Sequence, residues 1–386
     1  MPTPRDRQAR MATFVVYAVQ GLSFATLLTQ VAALQTKHHL DEGTLTLILL
    51  VVPVIAGVGS VGAGSLSARH GSRWLLRFAQ PLVALAVVAA GFAPNLPLFV
   101  AAVAVFGLGV GGVDAGMNMQ GVAVERRYQT PVLNGFHALW SVASLLGALW
   151  MSFAGDRIDV EIRMAVPMLL AVAGSLYAAP KLYSIAEEQV ESAETAVKKR
   201  FPWGPIIPLC LAMGFLYVGD AAVSNFSTVY MKDILLANAS VIPLAYAAYQ
   251  ATTLVVRLAG DVAVRRYGPA AIVRIGGAIA TLGFLGVVLA QTQPLAIIAF
   301  GLTGVGLSVV APQSFSAAGR LDPEGTGIAI ARVNLFNYVG FIVGAAAVGF
   351  LADSFDMRIA FAAPLVLAAG IIVLARGFQP SAKVYT

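Results

Sequence analysis

Long apolar segments recur along the chain from Thr13 to Arg376, and short polar stretches separate them. Each segment is about 20 residues long, which is the length that an α-helix needs to cross the hydrocarbon core of a bilayer. Of the 386 residues, 58% are hydrophobic and 11% are charged, whereas soluble domains carry roughly 25% charged residues. The pattern predicts an all-α membrane protein and argues against a soluble enzyme.

We predict twelve transmembrane helices, the first over 12–35 and the tenth over 294–318, with both termini on one side. If that side is the cytoplasm, most of the 25 Lys and Arg residues lie in cytoplasmic loops, as the positive-inside rule requires. The opposite side holds only Lys37, Arg157, Arg163, Lys232 and Arg358. The sequence therefore predicts a multi-pass protein of the inner membrane, and the lipid bilayer explains its net charge of +6 without a nucleic-acid partner.

The longest hydrophilic segment, Tyr183 to Trp203, follows the sixth predicted helix and lies at the middle of the chain. Similar features recur on its two sides, because Phe106-Gly107-Leu108 in the fourth helix matches Phe300-Gly301-Leu302 in the tenth. Internal repeats of this kind indicate a duplicated fold. We predict two pseudo-symmetric six-helix bundles at 1–182 and 205–386, joined by a cytoplasmic linker at 183–204.

The segment after the second predicted helix runs Gly64-Ser-Leu-Ser-Ala68-Arg69-His-Gly71-Ser-Arg73. Together with the twelve-helix layout, it resembles the major facilitator superfamily, whose pattern here is Gly-x-x-x-Asp-Arg-x-Gly-x-Arg. Ala68 stands where that pattern has an aspartate. The resemblance implies that Arg69 and Arg73 belong to a cytoplasmic gate, and the alanine leaves its usual carboxylate lock in doubt.

A second gating group is expected on the eighth helix. Arg257, Asp261 and Arg265 are spaced at i, i+4 and i+8, so their side chains share one helix face. We predict that Asp261 supplies in the second half the carboxylate that Ala68 does not supply in the first.

Two further stretches resemble the fucose permease-like branch, and within it the YbjJ-like group. They are Asp114-Ala-Gly-Met-Asn118-Met-Gln120 and Asn134-Gly-Phe136-His137-Ala-Leu-Trp140-Ser141. In the seventh helix, Asp220 and Asn225-Phe226-Ser227 are similar to the same group, with Asn225 and Phe226 departing from its pattern. The resemblance implies transport by alternating access and, in many members, coupling to protons.

Asp114 and Asp220 are the carboxylates that the predicted topology places at bilayer depth. Ionisable groups there cost several kcal/mol unless they face a partner or a watery cavity. We predict that both carry protons and that His137 relays protons to Asp114. The alternatives are structural hydrogen bonds for the two carboxylates and a packing role for the histidine.

We predict that polar residues contact the substrate. The resemblance to the major facilitator superfamily implies that helices of both halves line the translocation path. Amides and phenols there suit a small hydrophilic or amphiphilic solute. Arg332 could hold an anionic group, although it could equally extend to the interface. The predicted substrate-binding residues are Gln20, Asn118, Tyr217, Asn334, Asn337 and Arg332.

These features together predict a secondary active transporter, most simply a proton-coupled symporter of a sugar or another small polar solute. An antiporter that exports amphiphilic drugs or metabolites, and a membrane sensor on a transporter fold, remain alternatives. With four histidines and one cysteine the chain shows no catalytic or metal-ligand constellation. We therefore expect no enzyme activity, no metal and no cofactor, with protons, the solute and lipid as partners of a monomer.

Overall fold

The computed structural model describes residues 2–40, 42–154, 157–188, 202–238, 241–242, 244–322 and 324–379. The apolar segments form helices throughout these ranges, and the predicted linker 183–204 includes residues 189–201, which lie outside them. The α-helices are α1 (Pro4–Leu28), α2 (Val31–Lys37), α3 (Glu42–His70), α4 (Ser72–Phe92), α5 (Leu96–Tyr128), α6 (Leu133–Ala154), α7 (Val160–Ala178), α8 (Ile185–Glu188), α9 (Ile207–Val229), α10 (Leu244–Tyr267), α11 (Pro269–Leu289), α12 (Gln293–Leu307), α13 (Val310–Leu321), α14 (Ile328–Ser354), α15 (Met357–Ala360) and α16 (Ala362–Leu374).

Two predicted helices have different limits in the structure. The first begins earlier than expected, at Pro4, because Thr3 and Asp6 form a capping box there, and it is interrupted before α2. The predicted tenth helix is divided into α12 and α13 after Leu307. Neither change alters the number of membrane crossings that the helices can make.

Ten helical segments of the described chain are long and apolar enough to cross a membrane. The remaining long helices are α6 and α10, and α10 carries Arg257, Asp261 and Arg265, which make it more polar. Large apolar side chains cover the outside of the helices, as shown by Leu169 and Val373, which are 70% and 71% exposed. An outer surface of this kind is suited to lipid.

The chain divides into two compact units. Unit 1 comprises Met1–Val132, Phe136–Phe201 and Asp322–Leu335, and unit 2 comprises Leu133–Gly135, Pro202–Leu321 and Phe336–Thr386. Within unit 1, α5 packs closely on α3 and α4, and within unit 2, α12 packs closely on α10 and α11. Each unit therefore has its own packed helices, while the predicted boundaries of the two six-helix bundles stay a prediction.

Glycines allow the closest helix crossings in both units. A Cβ atom at Gly111 of α5 would lie 2.0 Å from the carbonyl oxygen of Ala56 in α3. A Cβ atom at Gly306 of α12 would lie 2.3 Å from the backbone nitrogen of Ala280 in α11. Only a residue without a side chain fits at such contacts, which is the usual role of small residues between membrane helices.

Candidate functional site

Unit 1 contains a polar cluster between α1 and α5. The Tyr17 hydroxyl donates a hydrogen bond to Oδ1 of Asn118 at 2.7 Å, and Nε2 of Gln20 donates one to Oδ1 of Asp114 at 3.0 Å. The Asn118 side-chain amide donates in turn to the backbone carbonyl of Asp114 at 2.7 Å. The structure thus brings together three predicted site residues, Gln20, Asp114 and Asn118, and adds Tyr17, which was not predicted.

His137 of α6 borders this cluster through Tyr17. The two ring centroids lie 5.2 Å apart in an edge-on arrangement, and the other neighbour of Tyr17, Phe136, stacks on it at 5.4 Å. His137 is 9% exposed, so most of its side chain is packed against neighbouring residues. Its predicted relay of protons to Asp114 stays a prediction.

The same face of α1 has further hydrogen-bonding capacity. Gln20 Oε1 and Ser23 Oγ are buried and accept no hydrogen bond from the described part of the chain. Buried polar atoms normally have a partner, which is often an ordered water. The two atoms therefore give the unit 1 cluster unused capacity to hydrogen-bond the hydroxyl group of a solute or a water.

Unit 2 contains a second carboxylate cluster between α9 and α10. The Tyr249 hydroxyl donates a short hydrogen bond to Oδ1 of Asp220. Tyr246 stacks on Tyr249 with ring centroids 6.3 Å apart, and its hydroxyl accepts a hydrogen bond from Nε2 of Gln250 at 2.9 Å. Asp220 was predicted from the sequence, whereas its partners on α10 were not.

A signal for the α10 residues was present in the sequence. Tyr246, Tyr249, Gln250 and Thr253 are spaced at i, i+3, i+4 and i+7, which places them on one face of a helix. The charged residues Arg257, Asp261 and Arg265 of the same helix were predicted to belong to a gate instead. Farther along this helix, Arg257 acts electrostatically on Asp220.

Tyr217 lies three residues before Asp220 on α9, half-exposed, so the two side chains share a helix face as predicted. Ser227 continues this face; its Oγ is fully buried and has no hydrogen-bond partner within the described ranges. Asn337, also of unit 2, is half-exposed on α14. The unit 2 cluster therefore combines one carboxylate with tyrosines and hydroxyl groups.

The predicted gating carboxylate Asp261 binds the beginning of α6. Its Oδ1 accepts hydrogen bonds from the backbone and side-chain nitrogens of Asn134 at 3.0 and 2.9 Å, and its Oδ2 accepts one from the Gly135 amide at 3.0 Å. All three residues belong to unit 2. A carboxylate at a helix N-terminus satisfies free amides and complements the positive end of the helix dipole.

The corresponding contact in unit 1 uses different residues. Ser60 of α3 donates a hydrogen bond to the Ala331 carbonyl at 3.2 Å and accepts one from the Asn334 amide at 3.0 Å. Asn334 was predicted to bind substrate, and the structure places it in this helix contact, 1% exposed. Arg332 is half-exposed on the same turn of α14.

The arginines of the predicted gates lie on α3, α4 and α10. Arg69 lies in the last turn of α3 and is exposed, whereas Arg73 is half-exposed in the first turn of α4. Arg257 is half-exposed within α10, and Arg265 is exposed near its end. Their gating roles stay predictions.

Comparison with known proteins agrees with this arrangement. A family model described as Major Facilitator Superfamily matches residues 13–233 and 209–384. The protein described as "uncharacterized transporter y4wD" of Sinorhizobium fredii is 29% identical over 371 residues, which cover 93% of this chain and 95% of that protein.

Two solved structures share the fold. The transporter FucP in its outward conformation has a TM-score of 0.80 at 16% identity, with 96% of this chain and 97% of FucP covered. The proton:xylose symporter XylE has a TM-score of 0.77 at 14% identity, with 97% and 95% covered. These likenesses confirm the predicted major facilitator fold. The chain therefore belongs to the major facilitator superfamily, and it is a multi-pass membrane transporter rather than an enzyme.

Proposed function

We propose that the protein is a proton-coupled symporter of a small polar solute such as a sugar, with Asp114 and Asp220 as its proton carriers. The observation that carries this proposal is the pairing of each carboxylate with a neutral donor. Asp114 accepts from the Gln20 amide, and Asp220 accepts from the Tyr249 phenol. Such a donor stabilises the charged carboxylate, and its side chain can rotate and break the hydrogen bond when the carboxyl group takes up a proton.

The physics of the cycle follows from these pairs. An apolar medium favours the neutral form of a carboxyl group, whereas water or a hydrogen-bonding solute favours the charged form. Alternating access would expose each carboxylate to one side of the membrane at a time, so that binding of solute and proton become linked. The membrane potential adds about 2.3 kcal/mol per charge and 100 mV, which is enough to concentrate a solute.

The solute class rests on the polar groups of the two clusters. Gln20 and Ser23 offer hydrogen-bonding atoms in unit 1, and Tyr217, Tyr246 and Gln250 offer phenols and an amide in unit 2. Phenols and amides make directed hydrogen bonds, and aromatic rings stack on the apolar faces of sugars. FucP, which shares the fold, is described as a fucose:proton symporter, and XylE is described as a proton:xylose symporter.

Gating is proposed for the residues at the helix ends. Asp261 would hold α6 in one state of the cycle through its bonds to Asn134 and Gly135. Arg69, Arg73 and Arg265 would add charge to the cytoplasmic ends of the helices, and Arg257 would add charge within α10. In this proposal the protein resides in the inner membrane with both termini in the cytoplasm and functions as a monomer.

The test uses purified protein in liposomes that contain a pH-sensitive dye. Pools of sugars, nucleosides, amino acids and cationic drugs are added outside, and the lumen is followed for pH and for uptake of the labelled solute. A symporter acidifies the lumen as solute enters. We expect Asp114→Asn and Asp220→Asn to abolish this acidification, while Asp353→Asn, at an exposed carboxylate of α14, leaves it intact.

Other outcomes distinguish the alternatives. Alkalinisation of the lumen as solute enters indicates exchange, and it would replace symport with the antiport alternative. Solute binding without flux would indicate a sensor. Solute flux without proton movement, unchanged in both aspartate variants, would refute the assignment of Asp114 and Asp220 as proton carriers.

A further inference from the structure

The beginning of the central linker is bound to unit 1 through a buried carboxylate. Glu188, the last residue of α8, is 8% exposed. It accepts hydrogen bonds from the backbone amide of Ser72 at 3.1 Å, from the Ser72 hydroxyl at 2.7 Å and from Nε2 of Gln120 at 2.5 Å. A burial of this kind is uncommon for glutamate, and neither transport cluster uses this residue.

Glu188 replaces a local cap at the start of α4. The N-cap position of α4 is Gly71, which has a φ of +82° and no side chain that could accept a hydrogen bond from the first amides of the helix. A Cβ atom at Gly71 would also lie 2.9 Å from Cβ of Ile185 in the linker. The glycine therefore lets the linker approach, and the linker supplies the acceptor that the helix start lacks.

Gln120 connects the same linker to α5. It is fully buried; its Oε1 accepts a hydrogen bond from the Tyr183 amide at 3.0 Å, and its Nε2 donates to the Tyr183 carbonyl at 3.0 Å and to the Ser72 hydroxyl at 2.9 Å. Asp114 and Asn118 of the unit 1 cluster lie on this helix, less than two turns before Gln120. The linker is thus bound to the helix that carries a proposed proton carrier.

The loop before α14 packs on the bound linker. Gly325 has a φ of +70°, and a Cβ atom there would lie 2.5 Å from the carbonyl oxygen of Glu188. Nη2 of Arg126 donates to the Asp322 carbonyl at 2.5 Å. A small cavity lies at this junction and is lined by Arg126, Glu188 and Asp322, among other residues. Within unit 1, therefore, α4, α5, the linker and this loop all meet at Glu188.

We propose that Glu188, with Ser72 and Gln120, forms a proton-linked clasp that docks Tyr183–Glu188, the beginning of the linker, on α4 and α5 and so regulates movement of the end of α5 during transport. When the clasp is closed, α4 is capped and the end of α5 is fixed. When it opens, both helix ends are released, together with the loop at Asp322–Gly327.

The charged groups around Glu188 determine how the clasp responds to protons. Arg126 and Asp322 line the cavity beside it, and the Arg73 amide donates to it from α4. On the linker itself, Glu187 is ion-paired with Arg5 at 2.8 Å, so it adds little unbalanced charge. Burial raises the pKa of Glu188 from its ordinary value of 4.5 to about 7, against the opposing effect of the hydrogen bonds from Ser72 and Gln120.

The sign of the pH effect follows from this comparison. Between pH 4.5 and about 7, docked Glu188 holds a proton that an undocked, solvated glutamate would release. Docking is therefore strengthened as the pH falls through 7 and weakened as the pH rises through 7. Neutral Glu188 keeps a carbonyl oxygen for the α4 amides, so protonation does not remove the cap.

The test measures linker docking by thiol labelling. The native Cys210 is buried, so an introduced cysteine can be followed by reaction with a maleimide dye. Ile185→Cys places the reporter against Gly71, and Ala186→Cys, at the exposed neighbouring position, corrects for the intrinsic pH dependence of the thiol reaction. The ratio of the two labelling rates reports docking of the linker. The measurement needs no substrate, so a negative result for the clasp is distinct from a negative result for the proposed transport function.

With Glu188 intact, we expect this ratio to rise between pH 6 and pH 8 with a midpoint near 7. Glu188→Ala should remove this pH dependence and raise the ratio at pH 6 by about tenfold, which corresponds to a loss of about 1.4 kcal/mol, with a smaller increase at pH 8. Glu188→Gln, which mimics the protonated form, should keep the ratio low and independent of pH. The control Glu324→Gln, at an exposed glutamate of the neighbouring loop, should behave like the unchanged protein.

Two results would overturn the clasp. One is a ratio that Glu188→Ala leaves unchanged, and the other is a pH response that persists in Glu188→Gln. If Glu188→Ala does not fold, the test is the comparison of Glu188→Gln with the protein that has Glu188 intact. A pH response that is present with Glu188 and absent with Gln supports the clasp, and any other result overturns it.

Discussion

Replacement of Asp261 by alanine tests how the start of α6 is held. The Asp261 carboxylate accepts three hydrogen bonds of 2.9 to 3.0 Å from Asn134 and Gly135, and two of them come from backbone amides in the first turn of α6. Those amides have no intrahelical partner, because the first turn of any helix leaves its donors free. Asp261→Ala therefore removes the acceptor for both.

The size of the effect follows from these bonds. Loss of a helix cap costs about 0.5–2 kcal/mol, and a buried donor without a partner costs about 1–3 kcal/mol. Asp261 is half-exposed, so water replaces part of the lost bonding. We expect a loss of about 2 kcal/mol, which lowers the Tm by roughly 4–8 °C if unit 2 unfolds cooperatively.

The assay is thermal unfolding of the detergent-solubilised protein. Asp261→Asn keeps one acceptor oxygen and should lose about half as much stability. Asp353→Asn, at an exposed carboxylate, should leave the Tm within about 1 °C, because isolated surface changes have small effects. Equal Tm values for Asp261→Ala and the unchanged protein would show that these hydrogen bonds do not stabilise the start of α6.

Three further changes probe the other contacts. Tyr249→Phe removes the hydrogen-bond donor to Asp220. Because hydrogen bonds to charged groups contribute about 1.5–3 kcal/mol, we expect substrate-driven proton movement in liposomes to fall by about tenfold. An unchanged rate would show that the Tyr249–Asp220 hydrogen bond plays no part in proton movement. Gly111→Ala should abolish the folded protein in size-exclusion chromatography, whereas Gly62→Ala, whose Cβ meets no atom within 4 Å, should be tolerated. Burial raises the pKa of Glu187, but its hydrogen bonds and the charge of Arg5 lower that pKa to about 2. The contribution of Glu187 to docking is therefore lost only as the pH falls through 2. Glu187→Gln should raise the labelling rate of the cysteine in Ile185→Cys by the same factor at pH 6 and at pH 8.

The fold was predictable because its signals are local. An apolar segment of about 20 residues specifies a membrane helix whatever its neighbours are. Helix ends were less predictable. The start of α1 at Pro4 depends on a cap that lies outside the apolar segment, and the break after Leu307 precedes Pro312, which cannot donate a hydrogen bond to the Ser308 carbonyl.

The site was predictable in part. Asp114 and Asp220 could be selected because a carboxylate in an apolar segment needs a reason to be there. Their partners could be only partly selected. Gln20 lies on a polar stripe that the sequence shows, whereas Tyr249 reaches Asp220 only because α10 is rotated to face α9.

The sequence by itself determined that this protein is a membrane transporter of helical bundles and which carboxylates lie within its helices. The tertiary structure alone decided what those helices and the linker contact. Asp261, which caps α6, is 127 and 126 residues away in the sequence from Asn134 and Gly135, and Glu188, which caps α4, is 116 residues away from Ser72. Periodicity shows which residues share a helix face, but the rotation and neighbours of each helix depend on packing throughout the unit, so contacts of this range become visible only in the folded molecule.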